Sequence, residues 1–186
     1  MPVNAGFEAV RGVVGHTESV LNKLQLAVDT PWEWERFDGF THYLAMEYLD
    51  RVRPRLLYIA YGDTDEYAHS GDYAAYLEAA RRTDSFIAQI WQWIQSTEGY
   101  RDRTTLVLTT DHGRGSGERW IGHGSEWEGS EGIWIALLGP DTPALGEVRE
   151  RGQLFQNQIA STVAALLGYN YTNARPVGQP IQGVTN

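Results

Sequence analysis

Thr104-Thr105-Leu106-Val107-Leu108-Thr109-Thr110-Asp111-His112-Gly113 is the stretch on which the reading of this chain turns. Its first part is apolar and β-branched, as a strand buried in a sheet requires. It ends abruptly in a carboxylate, an imidazole and a glycine. In an open α/β sheet, ligands collect just outside the carboxyl ends of strands. A second run, Arg55 to Tyr61, has the same strand-like character and is followed by Asp65 and His69. Gly122-His123-Gly124 follows shortly after the first triplet. Three of the five histidines and two aspartates are thereby expected beyond the ends of two strands.

Carboxylate oxygen and imidazole nitrogen together suit zinc or a similar divalent ion. The spacing of Asp65 and His69 lets a helical turn or a tight loop aim both at one ion, and spacing alone leaves Asp63 as a rival for Asp65. Asp111 and His112 are neighbours, and adjacent side chains on an extended segment diverge, so each is free to serve a different ion. His123 lies between glycines that allow close backbone approach. The pattern reads as a metal site for two ions and makes the chain a candidate hydrolase.

The rest of the sequence supplies helices between the strands. One is expected to start near Thr17 as N-cap, with Val20, Leu21, Leu24, Ala27 and Val28 facing inward. A second covers Phe37 to Arg53, with Phe40, Leu44 and Tyr48 on one face and Pro54 ending it. Residues 62–71 read as a loop. A long helix follows over Tyr73 to Thr97, with Tyr73, Leu77, Ala80, Ile87, Trp91 and Ile94 as its apolar stripe and Asp84 on that same stripe. Gly132 to Leu138 is a third strand. Leu154 to Leu167 is the last helix, with Phe155, Ile159, Val163 and Leu166 inward and Gly168 closing it. Strands separated by helices imply an α/β fold with a mostly parallel central sheet and flanking helices. The chain of 186 residues is expected to form a single domain over 1–186, with 175–186 as a loose polar tail.

The formal net charge is −9 and the pI about 5.0. That argues against binding a nucleic-acid backbone, which clustered Lys and Arg carry. An anionic substrate stays compatible, because bound metal ions reverse the local field. With no cysteine, thiolate metal sites and cysteine nucleophiles are excluded. No apolar run is long enough to span a membrane, and Met1 to Ala5 carries no leader signal. Cytosol and export both fit.

Other chemistry-bearing residues read more plainly. His16 and His42 are expected to be ordinary surface or packed histidines. The tryptophans Trp32, Trp34, Trp120, Trp127 and Trp134 invite a carbohydrate-binding reading, against which core packing and loop anchoring are favoured. Trp120 and Trp127 flank His123 and are placed to wall a substrate pocket. Arg114 and Arg119 are candidates to pair with an anionic substrate oxygen, against which a solvated surface arginine is favoured for each. Arg114 and Trp120 are therefore the candidate substrate-binding residues. The glycine-rich stretch 113–117 lacks the Lys-Ser/Thr ending of a phosphate loop.

Thr109-Thr110-Asp111-His112-Gly113, with Gly122-His123-Gly124 after it and Asp65 and His69 before it, resembles the alkaline phosphatase superfamily. That group includes nucleotide pyrophosphatases/phosphodiesterases, sulfatases and cofactor-independent phosphoglycerate mutases. Tyr76 to Asp84 and Gln156 to Gly168 are similar to helices of the same group, and the resemblance covers about residues 40 to 182. It implies that Asp65, His69 and His123 bind one metal and that Asp111 and His112 bind another. Zinc is the expected ion, with manganese, magnesium or calcium also compatible, and small phosphate or sulfate esters are the implied substrates. The superfamily also uses an aspartate from a first strand and a Thr or Ser nucleophile after it. Neither is identified here: Asp38-Gly39 follows no strand-like run, and nothing upstream of Thr17 supplies the aspartate. The expectation is the C-terminal, incomplete part of such a fold, with an exposed sheet edge prone to self-association. It would bind one divalent ion well and a second poorly, with little turnover. The alternative is a non-catalytic metal-binding or carbohydrate-binding module of the same fold.

Overall fold

The computed structural model describes residues 15–33, 35–149 and 152–184. Trp34 and the segment Met1 to Ala5 lie outside them. The chain divides into two compact units, Met1–Ile90 and Trp91–Asn186.

The first unit holds helices α1 (His16–Ala27), α2 (Asp38–Val52) and α3 (Asp63–His69), and the start of α4 (Tyr73–Ser96). Its apolar core includes Leu44, Ala45, Leu49, Ala68, Ala79, Phe86 and Ile90. In α1 the expected inward stripe is turned away: Val20, Leu24 and Val28 are exposed, and the buried residue is Gln25. The reason is polar. Arg36 is itself buried and donates to Gln25 Oε1 at 2.9 Å and to Thr41 Oγ1 at 3.0 Å. A buried guanidinium needs acceptors, and this requirement outweighs the apolar periodicity. Thr17 does not cap the helix, which begins at His16 after Gly15.

Helix α2 matches its expected span and ends before Pro54, with Arg53 in a left-handed conformation (φ 52°). The following run Arg55 to Tyr61 was expected to be a buried strand. It has no strand partner among the described residues and alternates instead: Leu56 and Tyr58 face solvent, while Leu57, Ile59 and Tyr61 turn inward. Apolar residues on both faces need cover on both faces; here only one is covered. Residues 62–71, expected to be a loop, contain the short helix α3. In α4 the buried face is Ala79, Phe86, Ile90 and Ile94, and Tyr73, Leu77 and Asp84 are exposed. The inward face is thus rotated from the expected one. The ring of Phe86 stacks on His42 at 4.1 Å and fixes that rotation.

The second unit contains β1 (Leu106–Thr109), β2 (Ile135–Leu138) and α5 (Ile159–Leu166). Both strands fall inside their expected runs. They pair antiparallel, Leu106 opposite Leu138 and Thr109 opposite Ile135, and form a two-stranded sheet. The parallel arrangement expected from the sequence is not what these residues form. A parallel pair needs a long crossover, usually helical. Between β1 and β2 the chain is glycine-rich and holds only one 3-10 turn, Gly117–Ile121. Each strand has one edge without a partner among the described residues.

Helix α5 is shorter than expected and follows a 3-10 turn at Gln156–Gln158; Phe155 is exposed. Gly168 ends it as read from sequence. At φ 80° it donates to Ala165 O, and Tyr169 N donates to Ala164 O, a Schellman closure. Part of the region expected to be a loose tail is anchored. Ile181 is buried and donates its N–H to Thr162 Oγ1, and Ser161 Oγ donates to Gly178 O.

Candidate metal centre

The first unit presents Asp65 and His69 from one turn of α3. Their i,i+4 spacing puts both on the same face, with Asp65 Oδ2 3.3 Å from His69 Nε2. Asp63 is not equivalent to Asp65. It is 2% exposed and its carboxylate is already engaged, accepting from Asp38 N at 3.0 Å and from Arg82 at 3.2 Å. That leaves Asp65 the more accessible of the two carboxylates. Acidic residues in the first turn of α3 also suit the positive end of the helix dipole. The neighbouring Glu66 carboxyl is pushed up, by burial first and then by the charge of Asp65.

The second unit presents His112 and His123. Their rings stack with centroids 3.6 Å apart and planes 12° from parallel. His112 Nδ1 lies 2.9 Å from the carbonyl oxygen of Gly113. A carbonyl can only accept, so Nδ1 carries a proton, which leaves Nε2 as the ligand atom of a neutral ring. This is the usual way a protein prepares a metal-binding imidazole. Asp111 does not diverge from His112 as an extended segment would require. The chain bends there, His112 N donates to Asp111 Oδ1, and Asp111 Oδ2 comes within 3.6 Å of His112 Nε2. Asp111 is highly exposed, at 85% of its side-chain surface.

A dense set of backbone bonds holds the two histidines together. Gly113 N donates to Ser130 O at 2.8 Å, Gly115 N to Gly122 O at 3.1 Å, and Gly124 N to Ser130 Oγ at 3.1 Å. A Cβ on Gly113 would meet Gly129 O at 2.2 Å and Gly132 O at 2.6 Å, so the glycine permits a backbone approach that no side chain allows. Arg114, read as a substrate contact, points into this loop. Its Nε donates to Trp120 O at 2.8 Å and its guanidinium to Ile121 O at 3.0 Å. Trp120 is half-buried and meets Arg114 through its backbone carbonyl. A Cβ on Gly122 would come within 2.9 Å of the Trp127 ring. Trp32 is anchored too, donating to Glu35 O and standing edge-on to Phe37 and Tyr67. These tryptophans serve loop and core; Trp134 is exposed.

Two contributors were missed by sequence reasoning. Gln156 donates from the turn before α5 to the carbonyls of Thr110 and Asp111, and so fixes the end of β1. Asp38 accepts from Gly62 N at 2.7 Å and from Asp63 N at 3.1 Å, at the start of α3. Neither carries a local signal, since each acts on a segment far away in sequence. His42 is fully buried, as a packed histidine, with Nδ1 2.9 Å from Tyr61 Oη. Burial lowers its proton affinity and raises that of the Tyr61 phenol.

Carboxylate and imidazole donors together suit a divalent metal ion. A family model described as type I phosphodiesterase / nucleotide pyrophosphatase matches residues 8–173. The chain belongs to that family, within the alkaline phosphatase superfamily. The family is metal-dependent and implies an alkaline-phosphatase-like α/β fold and small ester substrates. Neither the curated proteins nor the solved structures yield a match. Among the described residues no helix is long and apolar enough to cross a membrane.

Proposed function

We propose that this chain carries the metal-binding part of a hydrolase for phosphodiester or pyrophosphate bonds. Asp65 and His69 are the proposed donors of the first unit, and Asp111, His112 and His123 those of the second. Zinc suits this mixture of imidazole and carboxylate best. The observation that carries the reading is the His112–His123 stack, with the Nδ1 proton of His112 held on Gly113 O.

Bound divalent ions would lower the pKa of a hydroxyl or water nucleophile and offset charge on the nonbridging oxygens. The chain's own residues do the rest. Asp65 and His69 supply donors from one helical turn. Gly113 O keeps the His112 proton on Nδ1, so Nε2 stays a donor. The stack and the loop bonds hold His123 beside it without a search through rotamers. Arg114 keeps the loop closed, and Trp120 is the proposed border of the substrate. The open strand edges are the proposed surface for self-association, which light scattering tests: a strict monomer removes it.

Calorimetric titration of Zn²⁺ into the metal-stripped chain, paired with an aryl phosphodiester assay, tests the function. The expected result is saturable binding that His112→Ala and His123→Ala both abolish, with any turnover lost to chelator. Failure to bind any divalent ion at millimolar concentration would sink the proposal. Binding without turnover leaves the non-catalytic metal module as the answer.

A further inference from the structure

We propose that Asp38 is a positioning residue for α3, setting the direction in which Asp65 and His69 face. The proposal rests on the reading of those two residues as metal ligands. Three observations support it. The first is reciprocity. Asp38 Oδ1 accepts from Gly62 N and Asp38 Oδ2 from Asp63 N, while Asp63 Oδ1 accepts from Asp38 N at 3.0 Å. The starts of α2 and α3 are latched to each other by two carboxylates and three amides.

The second is what α3 lacks. It is seven residues long, and Gly62 at its N-cap has no side chain to offer. A helix this short is unstable alone and takes its direction from tertiary contacts. Its first amides need acceptors from elsewhere, and Asp38 provides them from 24 and 25 residues away. Gly62 O then accepts from Asp65 N at 2.9 Å and Glu66 N at 3.1 Å. The backbone of Asp65 is thus one hydrogen bond removed from the latch.

The third is cost. Asp38 and Asp63 are each 2% exposed and lie beside each other, with Arg82 on Asp63. Burying two carboxylates together is expensive. Burial and the charge of Asp63 push the Asp38 carboxyl up to about 7. A neutral Ser or Asn would cap a helix at less cost. What the carboxylate adds is two fixed acceptors in one plane, and these constrain direction as well as helix formation. A Cβ on Gly62 would meet the tip of the Glu35 side chain, which would have to swing aside.

The test uses the full chain and Co²⁺ as probe, at a pH where carboxylates are ionised. Asp38→Asn keeps one acceptor and loses the other. The expected result is a folded protein whose Co²⁺ affinity falls ~10- to 100-fold, the usual scale for residues that orient ligands, with an altered visible Co²⁺ spectrum. Asp84→Asn, exposed on α4, is the control and leaves both unchanged. A folded Asp38→Asn with wild-type affinity and spectrum overturns the proposal. Should that variant not fold, amide exchange of the wild type decides. Because coupling is mutual, metal binding should slow exchange at Gly62 and Asp63, and unchanged rates overturn the proposal. Asp65→Asn separates the two readings. If it leaves Co²⁺ binding intact, the ligand assignment fails and the proposal with it. If it abolishes binding while Asp38→Asn does not, only the positioning role fails.

Discussion

Replacing Gly113 by alanine adds one methyl group at the most crowded backbone position of the candidate metal centre. The new Cβ would lie 2.2 Å from Gly129 O and 2.6 Å from Gly132 O, against a floor of 3.0 Å for real Cβ contacts. Both obstacles are backbone, so neither can swing aside as a side-chain tip would. One strand of the loop must move by about 0.8 Å, the difference between 3.0 and 2.2 Å. Overpacking of this kind costs roughly 1–3 kcal/mol. The shift also strains the Gly113 N–Ser130 O bond, whose loss adds about 1 kcal/mol. The expected total is ~2–4 kcal/mol, and at roughly 2–4 °C per kcal/mol for a chain of this size the melting temperature falls by ~5–15 °C. Because Gly113 O holds the His112 proton, Zn²⁺ affinity should fall as well, by at least ~10-fold. Calorimetry measures both quantities. Gly39→Ala is the contrast: it lies in α2 with nothing within 4 Å of the new methyl, and should gain roughly 0.5–1 kcal/mol. A Gly113→Ala protein with wild-type melting temperature and metal affinity would refute the account of the loop.

Gly168→Ala places a side chain at φ 80° in the closing turn of α5 and should cost roughly 1–2 kcal/mol without touching metal binding; urea titration reads it. Arg114→Ala removes the donors to Trp120 O and Ile121 O and should cost about 2 kcal/mol, with faster amide exchange across 115–124; Arg114→Lys should not restore protection, because the two-point geometry needs a guanidinium. The Asp38 carboxyl, ordinarily at 3.8, is pushed up to about 7 by burial and then by Asp63. The folded chain therefore holds a proton that the unfolded chain has released. The stability this confers is complete below about pH 4 and is lost as pH rises through 7, an upper bound of ~4 kcal/mol at 1.36 per pH unit. Urea midpoints from pH 4.5 to 7.5 should fall in the wild type relative to Asp38→Asn; the opposite slope contradicts the assignment.

The sequence determined the pieces whose causes are local. Apolar β-branched runs located β1 and β2, Pro54 and Gly168 ended their helices, and Asp65, His69, Asp111, His112 and His123 stood out by residue type and position. Tertiary structure decided what depends on distant partners. Arg36 turned Gln25 inward and left the α1 stripe exposed; the Phe86–His42 stack set the face of α4. The glycine-rich connection let β1 and β2 pair antiparallel where a crossover would have made them parallel. Asp63 and Asp65 look alike as letters, and only burial beside Asp38 and Arg82 distinguishes them. Hydrogen bonds and close contacts between remote segments have no periodicity, so residues such as Gln156 and Asp38 leave no mark in the chain until it is folded.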